Sequence, residues 1–179
     1  MKKLFLLRHA KSSWRNSSLI DFDRPLSKRG MHNATKIGCY IRKNHLNADL
    51  ILCSPAKRAE ETFNLIRIGF SKPWKIKFLD QLYLAQERDI IREIHNVQTA
   101  TNNLLVIGHN PGLGSLACTL ASKGNNQLGI SLPKKYVTGA FSMFDVDVMK
   151  WSELSMYNAA LVEFYQPHGF NWSKNWLIA

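Results

Sequence analysis

The sequence predicts an α/β fold, three layers α/β/α deep, with a mostly parallel sheet between the helices. Two observations predict it. Short apolar runs that stop abruptly at polar residues alternate with longer segments of helical spacing, the order expected of strands linked by crossover helices. Two of those runs lead into a Pro at once or within a few residues, at Ser54-Pro55 and at His109-Asn110-Pro111, as a strand does when it feeds a helix.

Lys3 to Leu7 is the first run, a buried strand that delivers Arg8 and His9 into a loop. From Ser27, a suitable N-cap, to about His45, the residues Ala34, Ile37, Gly38 and Ile41 recur with helical spacing and predict the first helix. Asp49 to Cys53 is the second strand. Ser54 as cap and Pro55 at the first position then predict a helix reaching about Ile68. Lys75 to Leu79 reads as a third strand and Glu87 to about Val97 as a helix. Leu104 to Ile107 repeats the strand-to-Pro junction and is followed by a helix through Ala121. Residues 123–138 read as a loop, and 139–146 and 156–165, rich in β-formers, as late antiparallel strands. In such a sheet the helix N-termini gather at the carboxyl edge, where unpaired N–H groups and helix dipoles attract anions. His9, Arg58 and His109 all fall at that edge.

The length of 179 residues suits one domain spanning 1–179. The opening apolar run is only four residues long before Arg8, too short for a secretion signal, and no stretch is long and apolar enough for a membrane span. A cytoplasmic protein with no membrane association is expected. Cys39, Cys53 and Cys118 are odd in number and far apart, which fits neither a disulfide framework nor a zinc site, and they are expected to be buried thiols. The formal charge of +11 is unevenly placed: residues 1–77 hold 17 Lys and Arg against 5 Asp and Glu, a net +12, and the remainder nets −1. The cations are spread through several elements without a stacking-aromatic motif, so an electropositive face for phosphorylated substrates is expected ahead of nucleic-acid binding.

Covalent phosphoryl transfer needs a nucleophile, cations for the equatorial oxygens and a group that manages the leaving atom's proton. His9 offers a ring nitrogen that is substantially neutral at pH 7, and neighbouring Arg favours that form. Arg8 and Arg58 present planar donor forks to phosphate oxygens. His109, just beyond an apolar strand, is a candidate either to donate to the transferring group or to support it as imidazolium. No H-E-x-x-H, acidic cluster or Cys pair suggests a metal, no complete nucleotide-loop pattern surrounds Gly112 and Gly114, and no cofactor is expected.

The spans LLRHAKSSW (6–14), CSPAKRAEET (53–62) and VIGHNPGL (106–113), with DRPLSKRG (23–30), resemble the histidine phosphatase superfamily, also called phosphoglycerate-mutase-like. The opening and the HNPG turn are most like the small bacterial phosphohistidine phosphatases. The resemblance covers roughly residues 3–165 and implies a phosphoglycerate-mutase-like architecture with minimal insertions. It also implies a transiently phosphorylated His9 in an RHG-type motif, with phosphate held by Arg8, Arg58 and His109. Members that act on phosphate esters usually carry a general-acid Glu after the third strand, in a Leu-x-Glu segment. This chain has Leu82-Tyr83-Leu84 there, and Asp80, Glu87 or Asp89 stand near enough in sequence to substitute. The missing acid suits a P–N bond, because a phosphohistidine imidazole can be protonated before it leaves.

The expected function is therefore hydrolysis of protein phosphohistidine, with a phosphorylated protein or small phosphorylated substrate as partner. The alternatives are a small-molecule phosphomonoesterase of the same superfamily and a non-catalytic basic RNA-binding protein. His32, His45, His95 and His168 are read as surface or loop residues, Lys11 and Lys57 as solvated, and Arg24 and Arg29 as undecided between solvent and phosphate. The aromatic cluster Phe170, Trp172 and Trp176 is expected to pack the tail onto the domain.

Overall fold

The computed structural model describes residues 1–123, 132, 133 and 135–167, and within them six strands form one mixed sheet. Strands β1 (Lys2–Arg8), β2 (Leu50–Cys53), β3 (Lys75–Phe78) and β4 (Asn103–Gly108) run parallel in the order β3-β2-β4-β1. Strands β5 (Phe141–Val146) and β6 (Ala159–Tyr165) extend the sheet antiparallel beyond β1, as the late β-rich segments predict.

Successive side chains of a strand point to opposite faces, and in β1 and β4 both faces are buried. Leu4, Leu6, Leu104 and Val106 face helices α3 (Glu87–His95) and α4 (Gly112–Lys123). Phe5, Leu7, Leu105 and Ile107 face helices α1 (Lys28–Lys43) and α2 (Lys57–Ile66). This double coverage is why the strands read as continuous apolar runs, and it gives the three layers.

Ser27 caps α1, accepting from the Gly30 N–H at 3.0 Å. The helix lies so close to the loop after β1 that a Cβ on Gly30 would stand 2.1 Å from the Lys11 carbonyl oxygen. Helix α2 departs from its expected start: it begins at Lys57 with Ala56 as the preceding residue and no side-chain cap. The Ser54 hydroxyl lies before the helix and accepts the Ala56 N–H at 3.4 Å, one residue short of its first turn. Helix α3 is capped reciprocally by Gln86 and Asp89.

Of the three cysteines only Cys53, on β2, is buried; Cys39 and Cys118 are exposed. The expectation of buried thiols fails for those two because each lies on the outward side of its helix, a side that residue type does not reveal. Among the described residues no helix is long and apolar enough to cross a membrane. Most of the expected loop 123–138 lies outside the described residues, as do His168 and the cluster of Phe170, Trp172 and Trp176.

Candidate active site

Strands β1 and β4 are hydrogen-bonded neighbours with Arg8 opposite Gly108, so His9 and His109 leave adjacent strand ends together. The His9 N–H donates to the Gly108 carbonyl at 3.1 Å, and the Ala10 N–H donates to Thr62 Oγ1 on α2 at 3.0 Å. These bonds fix the turn after β1, and the two imidazole centroids stand 4.9 Å apart.

His9 Nδ1 lies 2.7 Å from the Ala10 carbonyl oxygen. That oxygen can only accept, so Nδ1 carries the proton and Nε2 keeps its lone pair. Burial, then the charges of His109, Arg58 and Arg8, hold the His9 pKa well below its ordinary value against the opposing Ala10 bond. The ring is thus a neutral base with one nitrogen available. Ala10 stands where an RHG motif would place Gly, and its carbonyl sets the tautomer.

His109 has the opposite tautomer. Arg58 Nη2, which can only donate, lies 3.3 Å from its Nδ1, so Nε2 bears the hydrogen and donates to Ser54 Oγ at 2.7 Å. Burial first, then Arg58 and Arg8, push its pKa down to about 3. Of the two roles read from the sequence, the imidazolium is therefore not the resting form: a positive charge there would be buried beside two guanidiniums.

Arg58 is almost wholly buried and donates from Nη1 to the Asp21 carbonyl at 2.6 Å and from Nη2 to Asp21 Oδ2 at 2.9 Å. Arg8 donates from Nη1 to the Tyr136 carbonyl at 2.8 Å, and burial followed by repulsion from Arg58 lowers its pKa. The Nε atoms of both arginines are buried and have no hydrogen-bond partner among the described residues. Two unpaired donors on two mutually repelling cations are what an oxyanion would satisfy.

Asp21 and Tyr136 were not singled out in the sequence. The Asp21 carboxylate accepts from Arg24 (Nη2 at 2.6 Å), Arg58 and the Tyr83 hydroxyl (2.8 Å). Burial opposes its ionisation, but these bonds and the Arg58 charge outweigh it and hold the carboxyl well below the usual carboxylate range. Tyr136 is buried, receives Arg8 and Asn110 on its carbonyl, and returns its hydroxyl to the Leu6 carbonyl in β1. Arg24 is not solvated: it is buried, bonded to Ser12 Oγ at 3.0 Å and stacked 3.5 Å from the Trp14 ring centre. Lys11, Lys57 and Arg29 are exposed, and Lys57 pairs with Glu60.

The three carboxylates considered as replacement acids divide clearly. Asp80 is exposed in the turn after β3. Asp89 serves the cap of α3 and lies 3.6 Å from Arg92. Glu87 lines an open cleft of about 520 Å³ with Pro111, Gly112 and Ser115, beside the turn that carries His109. Among the described residues no cluster of three or more His, Cys, Asp and Glu side chains forms a metal-ligand set.

The profile of the histidine phosphatase superfamily (branch 1) matches residues 4–82. The Mycobacterium tuberculosis protein Rv1276c is 34% identical over 163 residues, covering 90% of this chain and 99% of that protein. Among solved structures, a candidate phosphohistidine phosphatase SixA from Agrobacterium tumefaciens superposes with a TM-score of 0.78 at 26% identity, over 93% of this chain and 98% of its own. A second such candidate, from Nakamurella multipartitia, superposes with a TM-score of 0.79 at 24% identity, over 94% and 97%.

Proposed function

The chain belongs to the histidine phosphatase superfamily, and on that premise we propose that it hydrolyses phosphoryl groups carried on protein histidine, by way of a covalent phosphohistidine at His9. The observation that carries this reading is the His9 ring, whose Nδ1 is tied to the Ala10 carbonyl so that Nε2 keeps its lone pair, and whose centroid stands 4.9 Å from that of the His109 ring, which Arg58 contacts at 3.3 Å. In the first half-reaction His9 Nε2 forms a bond to phosphorus while the bond from phosphorus to the departing imidazole breaks. The electron pair goes with that imidazole, which leaves neutral because its other nitrogen already carries a proton. In the second, water adds to phosphorus, the P–N bond to His9 breaks, and the water's proton passes to phosphate or solvent. The proton on Nδ1, bonded to Ala10, lets His9 depart as a neutral ring. Arg8 and Arg58 stabilise the equatorial oxygens, and His109 donates to the group if its Nε2–H exchanges Ser54 for a phosphoryl oxygen.

The choice of a P–N over a P–O substrate rests on the carboxylates. Asp21 stands at the site but is held ionised and hydrogen-bonded, so it has no proton to lend an alkoxide, and Leu84 occupies the position where resemblance would place Glu. The likeness to the Agrobacterium tumefaciens structure supports the same substrate class. Rapid quenching after mixing with radiolabelled phosphoramidate should trap acid-labile, base-stable label on the wild type and none on His9→Ala. A substrate panel should show phosphohistidine peptides hydrolysed far faster than sugar phosphates; the reverse ranking would overturn the P–N assignment.

A further inference from the structure

Helix α1 carries Lys28, Arg29, Lys36, Arg42 and Lys43, all exposed, and not one acidic residue in its 16 positions. Arg29, His32 and Lys36 follow one another at three- and four-residue steps, which places them in a single stripe along the outer face. Among the described residues no carboxylate forms an ion pair with Lys11, Lys28, Arg29 or Lys36. Three acids around α1 and α2 are engaged elsewhere: Glu60 with Lys57, Glu61 with the Leu26 N–H at 2.6 Å, and Glu163 with the Tyr40 hydroxyl. The stripe also has a defined start. The Ser27 N–H and hydroxyl both donate to the Lys11 carbonyl, at 2.9 and 3.0 Å, which seats the first turn of α1 two residues beyond His9.

We propose that the outer face of α1 is the docking ridge for an acidic segment of the protein that presents the phosphohistidine, guiding that residue to His9. The inference rests on the phosphohistidine reading above and adds the chemistry of the partner. The cations begin beside the nucleophile and run away from it, so they serve whatever molecule brings the phosphoryl group, beyond the phosphoryl group itself. Exposed charges of one sign attract the opposite surface over about a Debye length, 10 Å at 0.1 M salt, and act chiefly on encounter. A nucleic-acid track would in addition present stacking rings. The one aromatic of α1, Tyr40, is instead stacked on Tyr165 with centroids 4.1 Å apart.

The test uses two synthetic peptides with a central phosphohistidine, one flanked by Glu and one by Lys at the same positions, with phosphoramidate as the small substrate. The wild type at low salt should show a kcat/KM about tenfold or more higher for the Glu peptide, and the gap should close in 0.5 M salt. Arg29→Glu with Lys36→Glu should bring the two peptides to near equality while leaving phosphoramidate turnover unchanged. Equal kcat/KM for both peptides in the wild type, or a preference that survives the double variant, would overturn the ridge alone. Turnover of phosphoramidate with neither peptide consumed would overturn the phosphohistidine reading and the ridge with it. Fluorescein-labelled poly(U) bound more tightly than the Glu peptide, with that binding lost in the double variant, would overturn the acidic partner in favour of nucleic acid.

Discussion

Asp21 holds Arg58 at two points, through its carbonyl on Nη1 and its carboxylate on Nη2, while Tyr83 and Arg24 fix the carboxylate in turn. A guanidinium so anchored keeps its fork in one orientation, and its buried Nε–H has no partner among the described residues. Asp21→Ala should therefore lower kcat for phosphoramidate about tenfold, the equivalent of one charge-assisted hydrogen bond of about 1.5–3 kcal/mol at its lower end. Asp21→Asn, which keeps the shape and loses the charge, should fall between. An unchanged kcat in Asp21→Ala would show that packing alone positions Arg58. Little near Asp21 in sequence announces this role: it lies two positions before the segment DRPLSKRG, on an exposed turn, and although Arg24 is three residues on, the partners Arg58 and Tyr83 are 37 and 62 residues away. His9, Arg58 and His109 were legible because each adjoins the carboxyl end of an apolar run, where α/β sheets collect their ligands.

The strands and helices were legible where one interaction dictates them. Burial on both faces makes β1, β2 and β4 apolar without alternation, and the Ser27 cap marks the start of α1. The start of α2 was not legible, because Ser54 and Pro55 fit a helix opening by residue type while the helix begins two residues later, at Lys57, and the Ser54 hydroxyl also takes a bond from the distant His109 Nε2. Tyr136 was missed because its bonds are distant in sequence: its carbonyl and hydroxyl reach Arg8 and β1 across more than a hundred residues, and Asn110 across 26. Gly112 shows how tightly α4 is seated beside the site. A Cβ there would lie 2.1 Å from the Ala85 carbonyl oxygen, a backbone atom that cannot turn aside. Gly112→Ala must push the start of α4 away from the turn before α3 and carry the adjoining His109 with it. Denaturant unfolding should show a loss of about 1–3 kcal/mol, and kcat should fall as the His109 to Ser54 bond is disturbed. Wild-type stability in that variant would show that the two turns can separate freely.

Across the whole molecule, the burial of two imidazoles, with arginines beside them, makes folding depend on pH. In the unfolded chain His9 and His109 each take up a proton near pH 6.5. In the fold neither does so there: the pKa of His9 is held well below 6.5 and that of His109 is pushed down to about 3. Between those limits the unfolded chain binds more protons, so stability is complete above about pH 6.5 and declines as the pH falls. At pH 5 a histidine that stays neutral in the fold accounts for about 2 kcal/mol of lost stability. Asp21 also has a lowered folded pKa, but its contribution is lost only as the pH falls beneath the ordinary carboxylate range near 4. The decline between pH 6.5 and 4 is therefore assigned mainly to the two imidazoles. Urea unfolding of the wild type at pH 7 and pH 5 should differ by at least the roughly 2 kcal/mol that His109 accounts for, and His109→Asn should remove that share. An unaltered difference in His109→Asn would mean that this ring is protonated in the fold, and would return the imidazolium role to it. The cations that make a proton unwelcome on His9 are the ones proposed to hold the phosphoryl group. The nucleophile is then already deprotonated throughout pH 6 to 8, and formation of the His9 phosphoenzyme should show no rise with pH across that interval from its own titration.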